Sequence, residues 1–183
     1  LKSLKRLAMS CLLLLSVCMP ASAVVYIENF DSGIGGWEGK SAATAADIRT
    51  WATLSNSSGG QSGNCLKADD AGWTSGVSRV VTGVVEGEQY TFSVWVKVPN
   101  DFTTARAFVR QESSNNPSPQ SGNLVGAVQF SAEVTKDNTW RQVVLEGTIA
   151  AGATQVRIGV DTSHGGTAAV FYVDTVNFTS ENI

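Results

Sequence analysis

Between Gln89 and Val98 the chain alternates without a slip: Tyr90, Phe92, Val94, Val96 and Val98 fall on one side, Thr91, Ser93, Trp95 and Lys97 on the other. A period of two sends successive side chains to opposite faces of an extended strand, so the segment reads as a strand with one buried and one solvent-facing side. Trp95 alone breaks the polar side. Similar short runs stand at 24–30, 47–54, 64–69, 77–85, 104–112, 124–133, 141–149, 155–161 and 168–178, parted by clusters such as Ser57-Ser58-Gly59-Gly60. No stretch longer than about ten residues keeps a helical period. Many short strands at regular spacing predict an all-β chain folded as a two-sheet sandwich or a barrel. Pro117 and Pro119 remove donors from Ser114 to Gln120, which is therefore expected to be a surface loop.

Upstream of this pattern stands a segment expected to leave before folding. Lys2, Lys5 and Arg6 form a positive head, Leu7 to Cys18 an apolar run broken only by Ser10 and Ser16, and Ala21-Ser22-Ala23 a small-residue exit. These are the three parts of a secretory signal peptide. The apolar run is shorter than the roughly 20 residues that cross a bilayer, so no membrane association is expected after cleavage. A lipid-anchored start at Cys18 is the competing reading, and the branched Val17 speaks against it. The expectation is a signal peptide over 1–23 and one secreted domain over 24–183, extracellular or periplasmic. The whole chain has 13 Lys+Arg against 16 Asp+Glu, and the leader takes three basic residues, leaving 10 against 16 and a net charge of −6. Such an acidic product lacks the clustered Lys and Arg that phosphate backbones require, which argues against nucleic acid as a partner. Cys11 and Cys18 leave with the leader, so Cys65 has no internal disulfide partner and reads as a small buried apolar side chain.

Two chemistries suit the remaining residues. Glu28 and Asp31, near the opening strand, and Asp174, in the run Phe171 to Phe178, bring acidic oxygens to both ends of the domain. A sandwich that joins those ends lets them hold a hard cation such as calcium, which takes roughly 6–8 oxygens. The second chemistry is glycan binding. Pyranose rings lay flat C–H patches on aromatic faces while their hydroxyls need donors and acceptors, so a glycan site combines accessible Trp or Tyr with Asp, Asn, Gln or Arg. Trp95 qualifies by its face. In Val156 to Asp161, alternation leaves Arg157, Gly159 and Asp161 opposite to the apolar residues; Gln129 stands opposite to Val128 and Phe130; Arg106 and Arg110 offer donors from a neighbouring strand. Catalysis has less to draw on. His164 is the only histidine, in a glycine-bounded Ser163-His164-Gly165-Gly166 expected to be a mobile turn, and no Gly-x-Ser-x-Gly, His-Glu-x-x-His or Cys-x-x-Cys pattern occurs. Paired carboxylates for glycoside hydrolysis depend on the fold and stay open at this level.

Taken in order, Phe30-Asp31-Ser32-Gly33 with Gly36-Trp37, Ser62 to Lys67, Gly87 to Lys97, Trp140-Arg141-Gln142-Val143, and Val156-Arg157-Ile158 followed by Phe171-Tyr172-Val173-Asp174 resemble the carbohydrate-binding modules of families four, nine and twenty-two. Those are galactose-binding-like jelly-roll sandwiches found beside bacterial polysaccharide-degrading enzymes. The resemblance covers nearly all of 24–178. It implies a non-catalytic module that binds polysaccharide or oligosaccharide of the xylan or β-glucan type, with a glycoside-degrading enzyme as its associate. It also implies a structural calcium held by Asp174, with Asp31 or Glu28; Thr175 stands where many relatives carry a second aspartate. Trp73 falls where relatives place a stacking aromatic, and Asp161 aligns with a carboxylate that xylan-binding relatives use to accept sugar hydroxyls. Trp51 is a weaker stacking candidate, whereas Trp37 and Trp140 read as core or rim packing. The expected ligand set is thus Trp73, Trp95, Asp161, Trp51, Gln129 and Arg110. Two rivals are a structural or adhesive extracellular sandwich and a small jelly-roll lyase or hydrolase.

Overall fold

The computed structural model describes residues 23–44, 47–50, 52–70, 74–100, 102–113, 123–164 and 169–181. Residues 1–22 and 114–122, and Trp51 and Trp73, lie outside them. The strands are β1 (Val24–Glu28), β2 (Lys40–Thr44), β3 (Asp47–Thr50), β4 (Ala52–Ser58), β5 (Asn64–Asp70), β6 (Thr74–Thr82), β7 (Gln89–Lys97), β8 (Phe102–Glu112), β9 (Gln129–Phe130), β10 (Trp140–Thr148), β11 (Gln155–His164) and β12 (Ala169–Glu181). A first sheet runs β10-β7-β12-β5-β4, with β1 added to β12, and a second runs β6-β11-β8-β9. All pairs in both are antiparallel. The β2-β3 hairpin lies against β6 and β11. The expected jelly-roll sandwich is the fold observed.

Alternation decides which side chains lie between the sheets. Phe92, Val94 and Val96 of β7, Leu66 and Ala68 of β5, and Phe171, Val173 and Phe178 of β12 meet Val77, Ala107, Val109, Val156, Ile158 and Val160 from the second sheet in one buried cluster. Each Val, Leu, Ile or Phe among them contributes about 1.5–3 kcal/mol on full burial. Trp37 joins this core, its ring edge-on to Phe30 and its indole N–H donating to the Tyr26 hydroxyl at 2.9 Å. Cys65 is fully buried and burial pushes its thiol up, with the Asp174 carboxylate acting in the same direction.

Three expectations are corrected. The run 47–54 is not one strand: β3 ends at Thr50 and β4 begins at Ala52. Of 124–133 only Gln129–Phe130 is regular strand, because side chain replaces backbone beside it: the Ala107 amide donates to Ser131 Oγ, while the Ser131 amide returns a bond to the Ala107 carbonyl. Ser163 and His164 belong to β11, with a register shift between them that sets His164 opposite Phe102; Gly165 and Gly166 lie outside the described residues.

β12 is also not uniform. Ala169 to Val173 pair with β5, whereas Val176 to Ser180 pair with β1, and the change of partner occurs at a bulge where Thr175 adopts φ 43°. A non-glycine residue there is costly, of the order of 1–2 kcal/mol, and needs a local anchor. Asp174 supplies one, its Oδ1 accepting the Thr175 amide at 2.6 Å.

Candidate functional site

On β11, Gln155, Arg157, Gly159 and Asp161 leave the core side and form, with Arg106, Phe108, Arg110 and Glu112 of β8, the outer face of the second sheet. Gly159 is required at its position: a Cβ there would come within 2.8 Å of the Phe108 ring and 2.2 Å of the Val77 carbonyl. Phe108 lies across that gap, fully buried yet outside the inter-sheet cluster. Phe130 packs on it with centroids 6.4 Å apart, and the Arg106 guanidinium covers Phe130 at 3.8 Å. Arg106 Nη2 also reaches Asp161 Oδ2 at 3.5 Å, with Arg106 36% exposed and Asp161 5%. This end of the face therefore offers an aromatic ring, a half-exposed donor fork and a carboxylate together.

The other end of the face is closed. Glu112 accepts from Arg110 Nε at 3.0 Å, Arg157 Nε at 3.3 Å and Gln155 Nε2 at 2.6 Å. Arg157 also reaches Ser78 Oγ at 3.3 Å and Glu38 at 3.4 Å. Burial pushes the Arg110 guanidinium down, against the pull of Glu112. Arg110, expected as a sugar-facing donor, is in fact wholly buried. The reason is its register position opposite Arg157, where Glu112 draws both guanidiniums inward.

The sequence-derived ligand set is thus divided by the fold. Asp161 and Arg106 share one face. Trp95 pairs with Gln142 and Asp174 on the outer face of the first sheet, the opposite side of the sandwich. Gln129 is in register with Val109, a core-facing residue, and its Oε1 accepts the Tyr90 hydroxyl. So Gln129 stands on the inter-sheet side of β9, exposed at the rim of the sandwich, and half-buried Phe130 stands on the other side, the reverse of the expected faces. Trp73 and Trp51 lie outside the described residues; β6, which Trp73 precedes in sequence, has Thr74 paired with Ser163. Phe130 was not singled out by sequence reasoning, and its two-residue strand carried too little alternation to reveal it.

The three acidic residues at the chain ends are only partly gathered. Asp174, fully buried, accepts the Ser62 amide at 3.0 Å, and Asp31 accepts the Asn64 amide at 3.0 Å, so both grip the β4-β5 turn. A Cβ on Gly60 would meet Asp174 Oδ2 at 2.6 Å, and one on Gly63 would meet Asp31 Oδ1 at 2.3 Å. Glu28 turns elsewhere, accepting the Phe30 amide at 2.8 Å beside Gly35. Among the described residues no group of three or more His, Cys, Asp or Glu forms a cation cage. Two carboxylates on one turn are nevertheless an all-oxygen donor pair, and no Lys or Arg ion pair neutralises Asp174 among the described residues.

No protein-family model matches the chain, and no curated protein matches its sequence. Solved structures do match in shape. The tandem CBM22-1-CBM22-2 domain of Xyn10C from Paenibacillus barcinonensis superposes with a TM-score of 0.64 at 18% identity, over 85% of this chain and 49% of that one. The fold is shared with CBM22 modules. The CBM22-1 xylan-binding domain of the same Xyn10C gives 0.58 at 14% identity, over 90% of this chain and 99% of the module. The CBM22-1-GH10 modules of Clostridium thermocellum xylanase 10B, solved with xylohexaose, give 0.61 at 14% identity, over 85% of this chain and 28% of that one. The chain thus spans less than half of the composite proteins it matches and nearly the whole of the single module.

Proposed function

We propose that the protein is a secreted, non-catalytic module that binds a polysaccharide of the xylan or β-glucan type on the outer face of its second sheet. The observation that carries this reading is the Phe130, Arg106 and Asp161 constellation: a ring that seats the guanidinium at 3.8 Å, that half-exposed guanidinium as a donor fork, and a carboxylate 3.5 Å from it. Sugar hydroxyls that replace the long Arg106 contact would be donated to Asp161 and accept from Arg106. The likeness of fold to xylan-binding domains supports the ligand class, and the xylanase whose CBM22-1 is joined to GH10 modules supports a glycoside-degrading enzyme as associate. Affinity is modest, since the glycan gives up water and chain freedom on binding.

The test is calorimetry and affinity electrophoresis against xylan, β-glucan and mannan. Asp161→Asn and Phe130→Ala should each weaken binding by about tenfold or more, measured on variants that remain folded at the assay temperature. A folded protein that binds none of these polymers would sink the reading. Release of reducing or unsaturated ends on incubation would favour the lyase or hydrolase alternative, and a protein ligand indifferent to Phe130→Ala the adhesive one.

Calcium is the proposed structural ion, held by Asp174 and Asp31 at the β4-β5 turn. Its role would be to neutralise a buried carboxylate and fix the turn. A ligand bound only by the folded state stabilises it by mass action, so melts in calcium and in chelator should differ by several degrees. Identical melts would remove the ion.

A further inference from the structure

The outer face of the first sheet is built from different parts, and the site above uses none of them. Trp140 of β10, Lys97 of β7 and Tyr172 of β12 stand side by side in one register row. Trp95 lies two residues from Lys97 on the same side, and all four residues are half-buried. The Trp140 and Tyr172 centroids are 6.5 Å apart at 64°, so the rings meet edge to face across β7. The Lys97 ammonium sits 4.2 Å from the Tyr172 centroid and 5.3 Å from that of Trp140.

A purely stabilising cross-strand ladder is the simple explanation. Two observations exceed it. Lys67, next in the row, is neutralised by Asp69 at 3.1 Å, whereas Lys97 forms no ion pair among the described residues although the chain carries a net charge of −3. Among the described residues Lys97 is thus a cation without a carboxylate partner, seated between half-buried aromatic rings. A ladder also has no use for Trp95, whose indole adds a third ring to the solvent side of the same sheet. Together they make a surface with aromatic faces and a positive charge at its centre.

We propose that this face is a second glycan surface, which takes an acidic polysaccharide bearing uronate carboxylates. Sugar C–H faces stack on Trp140, Tyr172 and Trp95, while a uronate carboxylate pairs with the Lys97 ammonium. The surface is independent of the second-sheet site and faces away from it, so the protein presents two binding faces to two chains.

The experiment titrates the full chain with polygalacturonate and with its carboxyl-reduced neutral counterpart, reading calorimetric heat and indole fluorescence at low and high salt. Expected are tighter binding to the uronate form and weakening by salt. Lys97→Met should abolish the preference while keeping the stem's packing, and Trp140→Ala should weaken binding by about tenfold. Asp161→Asn, on the other face, should leave uronate binding unchanged. Equal binding of the two polymers, or a Lys97→Met variant of unchanged melting temperature that keeps the preference, overturns the proposal. So does sedimentation showing self-association that Trp140→Ala abolishes, since a second copy would then cover the face. Should Trp140→Ala fail to fold, Lys97→Met decides alone.

Discussion

At the closed end of the second sheet's outer face the charges are sealed: Arg110, Arg157 and Glu112 are at most 3% exposed, away from the half-exposed Arg106. On the outer face of the first sheet the charge at the centre, Lys97, lies among half-exposed rings. Both faces come from the same alternation of apolar and polar residues, and both lie outside the inter-sheet core. What separates them is cover. The β2-β3 hairpin lies against β6 and β11, and the Ser113 amide donates to the Asn123 carbonyl while the Val125 amide donates to that of Gln111, which lays Asn123 to Val125 back along β8. A strand's polar side is therefore not a solvent side until its neighbours are known.

The sharpest way to break this comparison is Glu112→Ala. Removing the carboxylate leaves Arg110 and Arg157 facing each other in a buried site, and breaking such a cluster costs about 3–5 kcal/mol. The midpoint of urea unfolding would report it. Trp140→Ala on the open face should cost far less, about 1 kcal/mol, being one edge-to-face pair and one cation–π contact. Equal costs would dissolve the distinction between the sealed end of one face and the open surface of the other.

Tyr90 sharpens it from the space between the sheets. Burial pushes its phenol up from 10.0 to about 12. A raised folded value means that stability is complete below pH 10.0 and is lost as pH climbs toward 12. Tyr90→Phe should flatten that alkaline loss and cost about 1 kcal/mol for the hydrogen bond to Gln129. Denaturation followed at rising pH checks both.

The smallest effect belongs to Asp137, fully at the surface beside β10. Hydrogen bonds from Arg141 and Thr139 hold its carboxyl down, from 3.8 to about 2. A depressed folded value means that its contribution is present above pH 3.8 and fades as pH falls toward 2. Asp137→Asn should lower the melting temperature slightly at neutral pH and not at all at the acid end.

The binary pattern made the strands legible. Gln89 to Val98 and Val156 to Asp161 read correctly because each has one face in the core, where period two is enforced at every position. The segment 124–133 misled because Ser131 substitutes its hydroxyl for a ladder bond, and β2 escaped notice because Lys40-Ser41-Ala42-Ala43-Thr44 has no alternation to read. Of the candidate site, Asp161 and Arg106 were named from their face. Phe130 was not, and Arg110 was placed on the correct face without its cover.

The sequence by itself determined the all-β class, the inward-facing residues of strands such as Gln89 to Val98 and Val156 to Asp161, and the burial of Cys65, since local period and hydrophobicity act along the chain. Tertiary structure alone decided that Trp95 and Asp161 look in opposite directions, that Gln129 shares the inter-sheet side with Val109, and that Asp31 and Asp174 hold amides of one turn while Glu28 does not. Those outcomes depend on which strands become neighbours and what folds over them, and such long-range pairings leave no periodic trace in the residues that they join.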